Sequence, residues 1–185
     1  MKFFLTLIAM VLLVTPAIAD HHGGDDAAAA MPEMGRPAEM DALAFMNGEW
    51  TVDMQYMSET GEWVSTTGTA TSKPVLNGCA NRMDFEANMM GMPFKGFDHT
   101  TYNRETDQYE SVWIDDMGAK MTVMHGNFEG DALVMTGTDM WQGMKYHSKA
   151  VSKKISDDEV SWVMSMSMDG GETWMDNMKM TYKRK

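Results

Sequence analysis

Apolar and polar side chains alternate with a period of two along most of this chain. Trp50, Val52, Met54 and Tyr56 fall on one face, with Thr51, Asp53 and Gln55 on the other, as in a strand with one buried side. Cys79, Asn81, Met83, Phe85 and Ala87 alternate in the same way with Ala80, Arg82, Asp84, Glu86 and Asn88. Trp63 to Thr71 and the runs 94–102, 108–115, 119–128, 132–139, 144–154, 159–168 and 173–184 continue the pattern. Short breaks separate them at Glu59-Thr60-Gly61, Pro74 to Gly78, Gly91-Met92-Pro93, Arg104 to Asp107, Met117-Gly118, Glu129-Gly130-Asp131, Gln142-Gly143 and Ser156-Asp157-Asp158. About ten short strands at regular spacing predict an all-β fold, an antiparallel up-and-down barrel.

The pattern changes only at the N-terminal side. Met40, Leu43, Ala44 and Met46 have helical spacing, and Asn47-Gly48 stops the short helix they predict. Residues 20–37 mix Gly, Ala, Pro and acids without periodicity and read as a flexible leader. Before them, Lys2, the apolar run Phe3 to Val14 and the small residues of Ala17-Ile18-Ala19 make a signal peptide over residues 1–19. The expected organisation is therefore signal peptide 1–19, leader 20–37 and one barrel domain 38–185, with the mature chain periplasmic or secreted from a bacterium.

The segment 164–180, MSMSMDGGETWMDNMKM, tests the register. Trp162, Met164, Met166 and Met168 share one face of the incoming strand, and Trp174, Met178, Met180 and Tyr182 share one face of the outgoing strand. The faces coincide if the loop has an odd length, which pairs Met168 with Trp174, Met164 with Met178 and Trp162 with Met180. Asp169 and Gly171 are the expected turn residues, Asp169 by bonding backbone N–H groups. The spelling S-x-D-x-G-x-T-W from Ser167 to Trp174 resembles the Asp-box of sialidases and other β-propellers. That likeness implies a hairpin-folding motif rather than a hydrolase.

Charge narrows the partners. The chain carries a net −12, which repels phosphate backbones and anionic lipid, so nucleic acid is excluded as a partner. After the signal run, no apolar stretch reaches the length of a membrane helix, so no membrane association is expected once the signal is removed. Cys79 is the single cysteine, so an internal disulfide is impossible, and an inert thiol is expected there.

Methionine changes the picture most: there are 24, at positions where Leu, Ile or Val would be ordinary. One reading is a flexible core that adapts to a small apolar or amphipathic ligand inside the barrel. Met83, Phe85, Trp113, Met121, Val123, Met164 and Met166 are then the inward positions, and those nearest the mouth would touch the ligand. No cofactor is needed on that reading. The rival is a Met-rich protein that binds copper or absorbs oxidant. Thioethers are soft ligands for Cu(I), and Met164, Met166 and Met168 lie on one strand face. A mature terminus Asp20-His21-His22 would hold Cu(II) through nitrogens, with His22 in third place.

Catalytic candidates are Asp98, His99, Asp115, Asp116, His125 and His147. Asp115 and Asp116 are strand neighbours that point to opposite faces and make no natural dyad. The chain shows no G-x-S-x-G, P-loop or H-E-x-x-H motif, so nothing selects a reaction.

Gly48-Glu49-Trp50 opens the first strand and Arg184 closes the last. This is similar to the lipocalin and calycin families, in which the Trp closes the barrel base and a terminal-strand Arg lies over its indole. Together with Leu76-Asn77-Gly78, Pro93-Phe94-Lys95-Gly96, Tyr109 to Gly118 (YESVWIDDMG) and Thr181-Tyr182-Lys183-Arg184, it makes residues 38–185 resemble a bacterial family, domain of unknown function 1579. The family often has G-Y-D where this chain has Thr101-Tyr102-Asn103. The resemblance implies a lipocalin-like barrel and no particular activity.

Overall fold

The computed structural model describes residues 33–185 except 119 and 142; the expected signal peptide, most of the expected leader, His21 and His22 lie outside the described residues. Ten antiparallel strands make the wall: β1 (Gly48–Met57), β2 (Trp63–Val75), β3 (Ala80–Met89), β4 (Met92–Asn103), β5 (Gln108–Asp115), β6 (Met121–Glu129), β7 (Ala132–Trp141), β8 (Met144–Ser156), β9 (Glu159–Ser167) and β10 (Met175–Arg184). Each pairs with its sequence neighbour, and β1 pairs with β10, so the sheet closes into the up-and-down barrel that the alternation predicts.

Alternation fixes which side faces in. On β1, Trp50, Val52 and Met54 are buried and Thr51, Asp53 and Gln55 exposed, which puts the apolar row inside. The outer face carries ion pairs such as Lys183–Asp53 at 2.8 Å and Lys95–Glu86 at 2.8 Å. This phase is the reverse of a membrane-spanning barrel, which is apolar outside. No helix among the described residues is long and apolar enough to cross a membrane.

Several boundaries differ from the sequence reading for local reasons. β2 continues through Pro74, which faces Asn81. β4 starts at Met92 because Met90-Gly91 makes a two-residue turn with both φ positive, bringing Met89 opposite Met92. Leu76, Asn77 and Gly78 are all left-handed and carry the chain from β2 to β3. In the last hairpin Met164 faces Met178 and Trp162 faces Met180 as expected, but Met168 does not face Trp174. A bulge between Asp176 and Met178 absorbs a residue, and Met166 faces Met175 instead.

Residues 168–174 form the connecting loop, and Asp169 holds it. Its carboxylate accepts from Ser167 Oγ at 2.7 Å, from the N–H of Glu172 and Thr173 at 3.1 and 3.0 Å, and from Thr173 Oγ1. These bonds keep the carboxyl well below the usual range. The Trp174 indole N–H closes back on the Gly171 carbonyl at 3.0 Å.

One end of the barrel is plugged. The expected helix is a 3-10 helix, Ala38–Met46. Its Met40 and Leu43 are buried against Tyr109, Met124 and Leu133, and Tyr109 donates to the Glu39 carbonyl at 2.6 Å. Trp50 is fully buried, and its indole N–H donates to the Met46 carbonyl at 2.9 Å. The Arg184 guanidinium lies 4.2 Å over that indole and donates to the Asn47 carbonyl at 2.8 Å. A Cβ at Gly48 would stand 2.3 Å from Arg184 Nη1, and φ there is +137°, so only glycine admits this approach.

Arg184→Ala removes the ring contact and three bonds to base-end backbone and Asp158. The expected loss is about 2 kcal/mol, or a Tm lower by about 4–8 °C. Calorimetry checks it, and a shift below about 1 °C removes the seal from the account.

Candidate functional site: the lumen and its mouth

The inward rows of the ten strands line the interior of the barrel. Met83 and Phe85 on β3, Trp113 on β5, and Met164 and Met166 on β9 all belong to them, as expected. Phe85 is buried, while the other four are half-buried. Trp162, Met178 and Met180 face the lumen as well and are also half-buried. Side chains that point into a closed wall yet keep accessible surface border open space, because a filled core would leave them none.

Met121 and Val123 are a correction: they point outward and are 68% and 56% exposed. Met124, buried at 6%, sets the inward phase of β6, which places Thr122 inside. The apolar-inward rule fails here because this end of the lumen accepts polar groups. Thr122 Oγ1 bonds Asp139 at 3.3 Å, the Tyr146 hydroxyl bonds it at 3.2 Å, and Lys120 pairs with it.

Two apolar clusters fill parts of the interior. One is built around Trp50, Val52, Met54, Phe85 and Tyr182, the other around Leu43, Tyr109, Met124 and Met135, and Trp162 packs against both. Trp113 lies flat against β4 because Gly96 has no side chain; a Cβ there would fall 2.3 Å from Trp113 Cζ2. The Trp113 indole N–H is fixed by Asp115 at 2.7 Å. Asp115 also accepts the Met117 N–H at 3.0 Å, whereas Asp116 accepts the Lys95 N–H at 3.1 Å on the other side. Both carboxylates serve the β5–β6 turn.

Of the catalytic candidates, Asp115 shares the inward phase at the very end of β5, and Asp98 lies deeper in the lumen wall. Asp98 sits between Met83 on β3 and Trp113 on β5. Thr100 Oγ1 donates to its Oδ2 at 2.6 Å, and Ser111 supplies a second bond. Desolvation is the larger effect and pushes the carboxyl up to about 6, against those two hydroxyls. Burial also pushes the Tyr182 phenol up, with the Asp98 charge adding to it. Ser148, opposite Gly137 and Met166, has a buried hydroxyl with no hydrogen-bond partner.

His99, His125 and His147 occupy outward phases next to the inward Asp98, Met124 and Ser148. His147 Nδ1 lies 3.1 Å from Thr138 Oγ1. Cys79 is half-buried in the turn before β3. Among the described residues no group of three His, Cys, Asp or Glu is placed to hold a metal. Met164 and Met166 face the lumen, but Met168 has left the strand and is 57% exposed.

Sequence reading missed the asymmetry between the two ends. Four of the five hairpins at the open end expose methionine: Met90 and Met92; Met117 and Met121; Met140 and Met144; Met168 and Met175. The fifth exposes Trp63 and Val64, and Trp141 adds a second indole. The turns of the plugged end are mostly charged, as in Glu129-Gly130-Asp131 and Ser156-Asp157-Asp158. Phase cannot show this, since alternation loses meaning at a strand end.

Two depressions of about 400 and 390 Å³ lie elsewhere. The first crosses the outward residues Asp53, Gln55, Ser65, Thr67, Lys179 and Thr181; the second lies at the base by Phe45, Lys154 and Arg184. Both are open to solvent and offer less enclosed apolar surface than a small-molecule site uses.

The Asp98 carboxyl has its pKa raised on folding, so folding takes up a proton between about pH 4 and 6 and stability falls as pH rises through that window. Above it the charge costs about 3 kcal/mol. Asp98→Asn is therefore expected to be more stable than the parent at pH 8 and nearly equal to it at pH 4, as read by urea denaturation. An equal difference at both pH values contradicts this.

The fold and the sequence both point to relatives. The crystal structure of Rv2717c from M. tuberculosis is similar at TM-score 0.59 and 13% identity, covering 82% of this chain and 99% of that one. The S-type phycobiliprotein lyase CPES from Guillardia theta is similar at TM-score 0.54 and 10% identity, covering 78% and 91%. At these identities the likeness is one of fold, a lipocalin-like barrel. No curated protein matches the sequence. The family model described as "Protein of unknown function (DUF1579)" matches residues 37–184, and the chain belongs to that family.

Proposed function

We propose that this protein is exported and holds a small apolar or amphipathic ligand in the lumen of its barrel. The observation that carries the reading is the row of inward methionines and tryptophans that keep accessible surface inside a closed wall. Thioether chains with three rotatable bonds let such a wall adjust to its occupant. With the base plugged, the opposite end, where Met and Trp side chains are exposed, is the entrance on this reading. The likeness in fold to a phycobiliprotein lyase is compatible with this reading.

Native mass spectrometry of the protein from its own source is expected to show a retained organic mass. Met178→Trp, which fills the lumen, is expected to weaken uptake of the neutral dye N-phenyl-1-naphthylamine by about tenfold. A bare chain that also ignores the dye overturns the reading.

The exposed rim favours a second reading, an oxidant-absorbing or copper-binding protein. Accessible thioethers oxidise reversibly to sulfoxides, and buried ones are protected. Mild peroxide followed by peptide mapping is expected to modify Met90, Met121, Met140, Met168 and Met175 before Met40, Met54, Met124 and Met135, which are at most 6% exposed. Oxidation without that order contradicts the burial pattern. Retention of stoichiometric copper through native purification would favour this second reading over the carrier.

A further inference from the structure

We infer that Asp98 anchors the occupant of the lumen through a cationic nitrogen, so that the ligand is an amphipathic amine, amidine or protonated nitrogen heterocycle rather than a fatty acid; this rests on the lumen reading above. The geometry has three parts.

First, the carboxyl stands in the lumen wall without a cation. Its described partners are the Thr100 and Ser111 hydroxyls. The nearby basic side chains go elsewhere. Arg82 turns to the outer face, holding Asp84 at 2.6 Å and stacking over Phe97 at 4.5 Å. His99, next in sequence, packs on the same Phe97 at 5.3 Å. The titratable group facing Asp98 across the lumen is the Tyr182 phenol, which burial keeps neutral and which bonds Met180 Sδ at 3.2 Å.

Second, a half-buried carboxylate cut off from bulk water gains most from a charged partner. It has about four acceptor positions, and two hydroxyls leave the others unused. A ligand nitrogen with a positive charge supplies the missing partner by a charge-assisted hydrogen bond. An anionic head group meets repulsion there instead.

Third, the surroundings suit such a group. Trp113 is the direct register partner of Asp98 and sets an aromatic wall of Trp113, Phe85 and Phe94 beside it. Met83 flanks the other side and takes the apolar part. The unpartnered Ser148 hydroxyl offers a second polar contact in the same lumen.

The test uses three chain-matched probes at pH 7.5: dodecylamine, 1-dodecanol and dodecanoate. Each is titrated into the full mature chain and followed by calorimetry. Dodecylamine is expected to bind about tenfold or more tighter than dodecanol, the range of one charge-assisted hydrogen bond. Dodecanoate is expected to bind weakest. Asp98→Asn, and Asp98→Ser as a second variant, are expected to erase the advantage of the amine over dodecanol. Equal binding of amine and alcohol by the parent overturns the anchor while the lumen reading stands. An advantage that survives in both variants comes from the acidic exterior and also overturns it. If none of the probes binds, the lumen reading fails, and the anchor fails with it.

Discussion

The pairing of β1 with β10 is the constraint on which the rest depends. Seven residue pairs join the two strands, from Trp50 with Arg184 to Tyr56 with Met178. Without that seam the sheet would have two edges of unpaired backbone groups, and the inward rows would be one face of an open sheet. With it they become a lumen. The seam is reinforced at its base end by the stack of Arg184 on Trp50, and the indole in turn fixes the short helix that plugs the barrel. Closure of the wall and sealing of its base are therefore one piece of construction.

Within that wall, shape and charge divide the work. Methionine and tryptophan give an adaptable apolar surface, which discriminates weakly because one methylene more or less changes burial energy by under about 1 kcal/mol. The polar band of Asp98, Thr100 and Ser111 stands out against it, as a group whose ionisation is strongly disfavoured by its surroundings. Such groups cluster at functional sites, because a stable core gains nothing from them. The mouth repeats the arrangement at larger scale: Asp139 and Lys120 neutralise each other within a ring of thioethers.

Much of the architecture was legible in the alternation of side chains, because a strand with one buried face cannot slip by a residue without turning every side chain over. The pairs Met164–Met178 and Trp162–Met180 follow from that rule alone. The pairing of Met168 with Trp174 does not form, because a bulge in β10 and the bonds gathered by Asp169 override simple counting. β6 misleads for another reason: its apolar Met121 and Val123 lie on the solvent side, and a hydroxyl lies within. Methionine itself is ambiguous in a sequence, since the same residue fills a core at Met54 and crowns a hairpin at Met90. Asp98 was visible as a residue, and the phase of Phe94, Gly96 and Asp98 could have placed it inside. That its neighbours Arg82 and His99 both turn away is a fact of three dimensions.

The seam also dictates how the molecule comes into being. Its two halves are the first and the last strand of the barrel, and at the base Lys185 donates its N–H to the Glu49 carbonyl at 3.0 Å. No shorter length of chain can satisfy every edge. The nine earlier strands must wait, with Trp50 uncovered, until the final one arrives. Contacts of such separation make assembly slow, and closure of the wall is its last step.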